Sequence, residues 1–94
     1  MERLSEQGIK AGLGQLKEWR IAEDGFLEKH FKFSDFPEAF AFMTRIAFLA
    51  EKADHHPNWS NVWNSVHIKL STHDAGGLTK RDFKLAGKID EITG

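Results

Sequence analysis

The stretch "SDFPEAFAFMTRIAFLAEKADHHP", residues 34–57, constrains the fold more than any other part of the chain. It predicts one long helix. Asp35 is the N-cap, Glu38 three residues later completes a capping box, and Pro37 is tolerated in the first turn. Phe36, Phe40, Met43, Ala47 and Ala50 recur at the helical period, with Ala39 and Ile46 beside them. Phe42 and Leu49 widen the apolar stripe to roughly half the circumference. Phe48 lies outside the stripe, near Thr44, Arg45 and Lys52. Such a helix carries more apolar surface than one sheet face needs. Phe48 is therefore either an isolated surface aromatic or a subunit contact. Pro57 biases His56 away from helical geometry, so the helix should end around Asp54 or His55.

The flanking segments are shorter. Ser5 is a plausible N-cap of a first helix, with Leu4 placed to staple onto Ile9 and with Gly12 and Gly14 fraying its end. Two strand-like runs surround Asp24-Gly25. In "FLEKHFKF", Leu27, Phe31 and Phe33 share one face with Lys29 as the exception, and Glu28, His30 and Lys32 share the other. A two-residue turn would split the apolar faces. A three-residue Asp24-Gly25-Phe26 connection, with Trp19 opposite Phe31, keeps them together. "WSNVWN" and "VHIKLSTH" read as two further strands joined at Asn64-Ser65, with Ile68, Leu70 and Thr72 inward and His67, Lys69, Ser71 and His73 outward. Thr79 then caps a last helix, with Asp82 as its box partner and Leu85, Ala86, Ile89 and Ile92 as its apolar stripe. The order α-β-β-α-β-β-α with short connections implies an α+β fold, an antiparallel four-stranded sheet with its helices on one face. The other face is left partly open to a ligand or a subunit.

Residues 1–94 are enough for one domain. The net charge of −1 offers no basic field for nucleic acid or an anionic membrane. The absence of cysteine removes disulfides, thiolate nucleophiles and Cys-based zinc sites. "MERLSEQGIK" lacks the apolar core of a secretory leader, and no apolar run reaches the ~18 residues of a membrane span. A cytoplasmic setting is the expectation.

Four of the five histidines, His55, His56, His67 and His73, fall within residues 51–77. A metal is one reading, with Asp54 or Asp74 as a further ligand. Adjacent His55 and His56 should diverge as the chain leaves the helix, and no H-E-x-x-H is present, so the spacing argues against it. Polar surface positions are a second reading, and they suffice for His30 and His67. For Asp82, the capping role is sufficient by itself. Acid–base chemistry is the third, because imidazole titrates near neutrality and His55, His56 and His73 stand at the edges of consecutive elements. Trp59 and Trp63 could shape a pocket for a flat ring, although core packing also accounts for them. No Ser-His-Asp spacing, phosphate loop or nucleotide motif competes.

"EKADHHPNW" followed by "VHIKLSTHDAGGLTKRD" resembles pterin-4a-carbinolamine dehydratase, a family also known as the dimerisation cofactor of a hepatocyte nuclear factor. The joint signal is an acidic residue four before His-His-Pro, an aromatic two after it, and a Thr-His before Gly-Gly-Leu-Thr. The resemblance extends upstream through the long helix and weakly to Trp19. It implies a four-stranded antiparallel sheet with three helices on one face, and dehydration of a 4a-hydroxytetrahydropterin to the quinonoid dihydropterin. That reaction recycles the pterin cofactor of aromatic amino acid hydroxylases. The resemblance implies no metal and no cofactor. It carries substrate contacts onto Asp54, His55, His56, Ser71, Thr72 and His73, with His55 and His73 as leading acid/base candidates and His56 as a ring-positioning group. Glu51, Pro57, Trp59 and Asp82 would support them. It also implies homodimers or homotetramers, the latter through the long helix. In some members it implies a second, protein-binding role as coactivator or assembly factor, with a transcription factor or a hydroxylase as partner. A coactivator would also enter the nucleus.

Overall fold

A computed structural model of the chain describes residues 2–93. The long helix, α2 (Phe36–Ala53), forms as its caps dictate. The Asp35 carboxylate accepts from the Glu38 N–H at 2.9 Å, and Glu38 accepts in return from the Ser34 N–H at 3.0 Å. The return bond thus reaches one residue further upstream than in the usual box. At the other end Asp54 adopts the left-handed conformation, with φ 51°, and stops the helix. Asp tolerates this geometry better than most residues.

Around α2 the order is α1 (Glu6–Leu13), β1 (Arg20–Ile21), β2 (Leu27–Lys32), α2, β3 (Asn58–Val62), β4 (Ser65–Leu70) and α3 (Lys80–Thr93), with a 3₁₀ turn at His73–Ala75. The four strands form one antiparallel sheet in the order β1-β2-β4-β3. One sheet face supplies Leu27, Phe31, Val66, Ile68 and Leu70 to the core. The helices cover it with Ala39, Phe42, Ile46, Leu85, Ala86 and Ile89. The expected α+β architecture and element order are what the chain adopts.

Three local expectations are corrected. The first hairpin connects through Glu23-Asp24-Gly25, one residue earlier than expected, so that Ile21 pairs with Leu27 rather than Trp19 with Phe31. Gly25, at φ 88°, supplies the left-handed residue that a three-residue hairpin needs. This register leaves Lys29 on the core face, and Asp90 of α3 compensates it. The Asp90 carboxylate accepts from Lys29 Nζ at 3.1 Å, from the Trp19 indole N–H at 2.9 Å and from the Lys17 N–H at 3.1 Å. The second hairpin turns at Trp63-Asn64, not Asn64-Ser65. Asn61 Nδ2 bridges the carbonyls of Trp63 and Ser65 and holds Trp63 at positive φ.

The third correction concerns the stripe on α2. Ala39, Phe42, Ile46 and Ala50 are the buried positions, with Met43 and Leu49 flanking them. Phe36, Phe40 and Ala47 are exposed together with Phe48, which is 75% exposed. The sheet takes a narrower strip than the sequence offers. A separate device acts at α1, where Gly12 lets the Phe83 ring approach so closely that a Cβ there would lie 2.6 Å from it. No helix among the described residues is long and apolar enough to cross a membrane.

Candidate active site

The left-handed turn at Asp54 decides where the adjacent histidines go. The His55 N–H donates to the Ala50 carbonyl, and its side chain turns inward to 8% exposure. The His56 ring turns out into solvent and meets the still more exposed Glu51 at 3.0 Å. The divergence expected from their adjacency is what the chain shows. Pro57 then leads into β3.

His55 meets Asp82, which is 0% exposed. Asp82 stands in the first turn of α3, and its Oδ2 accepts from the Thr79 N–H at 2.9 Å, closing the cap. The Thr72 hydroxyl donates to the same oxygen at 2.8 Å. The Thr79 hydroxyl lies 2.8 Å from that of Thr72 and accepts from the Arg81 N–H. The other oxygen, Oδ1, lies 2.6 Å from His55 Nε2. A carboxylate only accepts, so Nε2 carries the proton in this contact and, in the neutral ring, Nδ1 holds the lone pair. No buried side-chain nitrogen or oxygen among the described residues lacks a partner, so Nδ1, which makes no internal hydrogen bond, is the ring atom left to the outside. The result is a fixed imidazole with one nitrogen oriented by a buried acid and the other available for proton transfer.

Two separate depressions flank this network. His55 lines one of about 470 Å³ between α2 and α3, with Leu49, Lys52, Ala53, Arg81, Lys84, Leu85 and Lys88. His73 and Ser71 line another, of about 670 Å³, closed on one side by the N-terminal segment around Leu4 and Ser5. His73 is not the end of a strand as expected. β4 stops at Leu70 and His73 opens the 3₁₀ turn, exposed. The Thr72 hydroxyl is spent inside the protein, and its N–H and carbonyl pair with Gly77. Thr72 therefore fastens the segment that carries Ser71 and His73 to the one that carries His55. Trp59 sits opposite Ile68 and packs against the core, while Trp63 is exposed at its turn. Asp54 offers its carbonyl to Arg81 Nη2, which also reaches the Ala53 carbonyl at 3.2 Å. Sequence reasoning missed Arg81. Its signal was its position between the cap residue and Asp82, which aims it at the end of α2.

The open sheet face holds a second cluster that sequence reasoning assigned to plain surface polarity. His30 and His67 stand directly opposite each other on β2 and β4 and stack at 3.9 Å. Glu28 is buried there and accepts from His67 Nε2 at 2.8 Å and from Arg20 Nε at 2.8 Å. Glu28, His30 and His67 offer ligand atoms within 4.8 Å of one another. Parallel stacked rings, however, aim their lone pairs along parallel planes, so one ion could not take both without a ring rotating. The Glu28 oxygens also already have donors. This cluster reads as a compensated buried carboxylate.

The family model described as pterin 4 alpha carbinolamine dehydratase matches residues 2–92. A protein of Mesorhizobium japonicum, provisionally named pterin-4-alpha-carbinolamine dehydratase, is 51% identical over 94 residues, covering 99% of this chain and 96% of its own. One of Prochlorococcus marinus, named in the same way, is 49% identical over 89 residues, covering 95% and 92%. The crystal structure of a protein from Brucella melitensis, described as a transcriptional coactivator/pterin dehydratase, superposes with TM-score 0.95 at 40% identity, over 99% of this chain and 100% of the other. A pterin dehydratase-like protein identified as a RuBisCO assembly factor in the alpha-carboxysome superposes with TM-score 0.71 at 26% identity, over 85% and 94%.

The open-face cluster sets an expected response to acid. The hydrogen bond from His67, and then the Arg20 guanidinium, hold the Glu28 carboxyl below its ordinary range. Its contribution to stability is present above the unfolded value of about 4.3 and is lost as pH falls through the lower folded value. Glu28→Gln should therefore weaken the fold at neutral pH and flatten the acid limb of a denaturation series below about pH 5. Parallel wild-type and variant limbs would contradict this account of Glu28.

Proposed function

Because this chain belongs to the pterin 4 alpha carbinolamine dehydratase family, we propose that it dehydrates a 4a-hydroxytetrahydropterin to the quinonoid dihydropterin by histidine acid–base catalysis. In this reaction the bond from C4a to its hydroxyl oxygen breaks, the oxygen takes a proton and leaves as water, N5 loses its proton, and a C4a–N5 double bond forms. Both transfers need groups that titrate near neutrality.

One observation supports this reading above the others, the 2.6 Å contact of His55 Nε2 with Asp82. A neutral imidazole whose Nε2–H is held by a buried carboxylate is a base at Nδ1, and the imidazolium it becomes is stabilised by the same carboxylate. We assign His55 to removal of the N5 proton. His73, exposed and with no hydrogen bond to its ring among the described residues, is the group for the leaving oxygen of a ring seated between the two depressions. His56 and Glu51 position the ring from the rim. Asp54 and Ser71 hold the polar edge of the pterin, and Thr72 acts through its grip on Asp82. This reading uses no metal and no cofactor.

A second reading is favoured by the apolar ridge of Phe36, Phe40 and Phe48, left exposed on α2. It suits a protein contact, a second copy of the chain or a partner of the kind named for the coactivator and assembly-factor relatives. Phe48→Lys should lower the sedimentation coefficient while leaving the fold intact. An unchanged coefficient would return Phe48 to the solvent.

Single-turnover kinetics test the catalytic reading. His55→Ala and His73→Ala should each slow dehydration by roughly 10²-fold or more. Asp82→Asn should slow it by at least about 10-fold, because an amide can hold the other tautomer in place. His73→Ala should cost under about 1 kcal/mol of stability, as exposed positions do. Wild-type rates in both histidine variants, with the fold intact, would end this assignment.

A further inference from the structure

The depression beside His55 carries a charge pattern that the dehydration chemistry does not use. Its wall contains Lys52, Arg81, Lys84 and Lys88 and no carboxylate. Arg81, Lys84 and Lys88 follow one another at i, i+3 and i+7 along α3, and Lys52 faces them from the end of α2. Like charges at these helical spacings repel and cost stability. The chain as a whole has a net charge of −1, so the clustering is local and not a reflection of composition. Among the described residues none of these three lysines makes an ion pair. Arg81 is held by the Ala53 and Asp54 carbonyls. The acid closest in the network, Asp82, is fully buried behind His55 and committed to three donors. The volume of about 470 Å³ is within the ~300–1,000 Å³ of small-molecule sites.

We propose that this depression binds an anionic group on the side chain of the substrate, a phosphate or a carboxylate, with Lys52, Lys84, Lys88 and Arg81 as its counter-charges. The inference rests on the dehydratase reading above and narrows it. The preferred pterin is one with a charged tail rather than a neutral one. A tail seated on the lysines places the ring beside His55, which lines the same depression. Tail contacts of this kind act equally on bound substrate and transition state, so they should appear in KM more than in kcat.

The test compares three 4a-hydroxytetrahydropterins that differ only in the side chain: uncharged, phosphate-ended and carboxylate-ended. At low salt, kcat/KM should favour a charged substrate by roughly tenfold, since each exposed pair supplies a few-fold. The preference should shrink at high ionic strength. Whether phosphate or carboxylate gains more identifies the tail. Lys84→Gln with Lys88→Gln should reduce the preference to about two- to threefold on the same scale, while Lys10→Gln on α1 should leave it unchanged. Equilibrium binding of the stable oxidised pterins, read by their fluorescence, is measured in parallel. Equal kcat/KM and equal Kd for all three pterins would overturn the inference and leave the dehydratase reading intact. A preference that ignores Lys84 and Lys88 would overturn it as well. If none of the three is turned over, the dehydratase reading falls, and the ratio of binding constants still decides the anion site.

Discussion

The buried carboxylate of Asp82 is the interaction on which the rest of the site depends. Its two oxygens accept from the N-cap of α3, from Thr72 after β4 and from His55 after α2. One side chain of 0% exposure thereby ties the start of α3 to the segment after β4, ten residues before it, and to the end of α2, 27 residues before it. Leaving any one of these donors unpaired in the interior would cost about 1–3 kcal/mol, and leaving the acid itself unpaired would cost more. The arrangement therefore holds together or fails together. That property is what a proton-transfer site needs, because a ring displaced by ~1 Å can lose 10²-fold in rate.

The same solution recurs twice more in this small fold. Asp90 gathers Lys17, Trp19 and Lys29 where the core face of the sheet meets α3. Glu28 gathers Arg20 and His67 on the open face. Each acid accepts from at least two donors, and each ties α3 or β2 to a separate part of the chain. The contrast between these acids and the lysines along α3 is informative. The acids are paired and positional, whereas Lys52, Lys84 and Lys88, around one depression, make no ion pair among the described residues.

Much of this was legible in the sequence, and the misses have physical causes. The caps at Asp35 and Thr79 and the stop at Asp54 are local, so the pattern of side chains was enough. The hairpin register was not legible. It is set by Gly25 at positive φ and by the burial of Lys29 against Asp90, 61 residues away, and local alternation records neither. The stripe on α2 was read too wide because apolar residues outnumber the places the sheet can fill. The roles of His55 and His56 could not be separated from their adjacency, since a single left-handed residue sends one inward and the other out. The capping role of Asp82 was visible. Its contact with His55 was not, because it uses the oxygen the cap leaves over. The family resemblance singled out the candidate histidines through their motif, and the geometry supplies a reason for them to differ.

The central claim is that Asp82 fixes His55 with its proton on Nε2 and its lone pair on Nδ1. Ring nitrogen shifts in a ¹⁵N-labelled sample at neutral pH report this tautomer directly. The account predicts a protonated Nε2 whose proton exchanges slowly, an unprotonated Nδ1, and loss of this preference in Asp82→Ala. A neutral His55 protonated on Nδ1, or a ring that averages both tautomers in the intact protein, would contradict it.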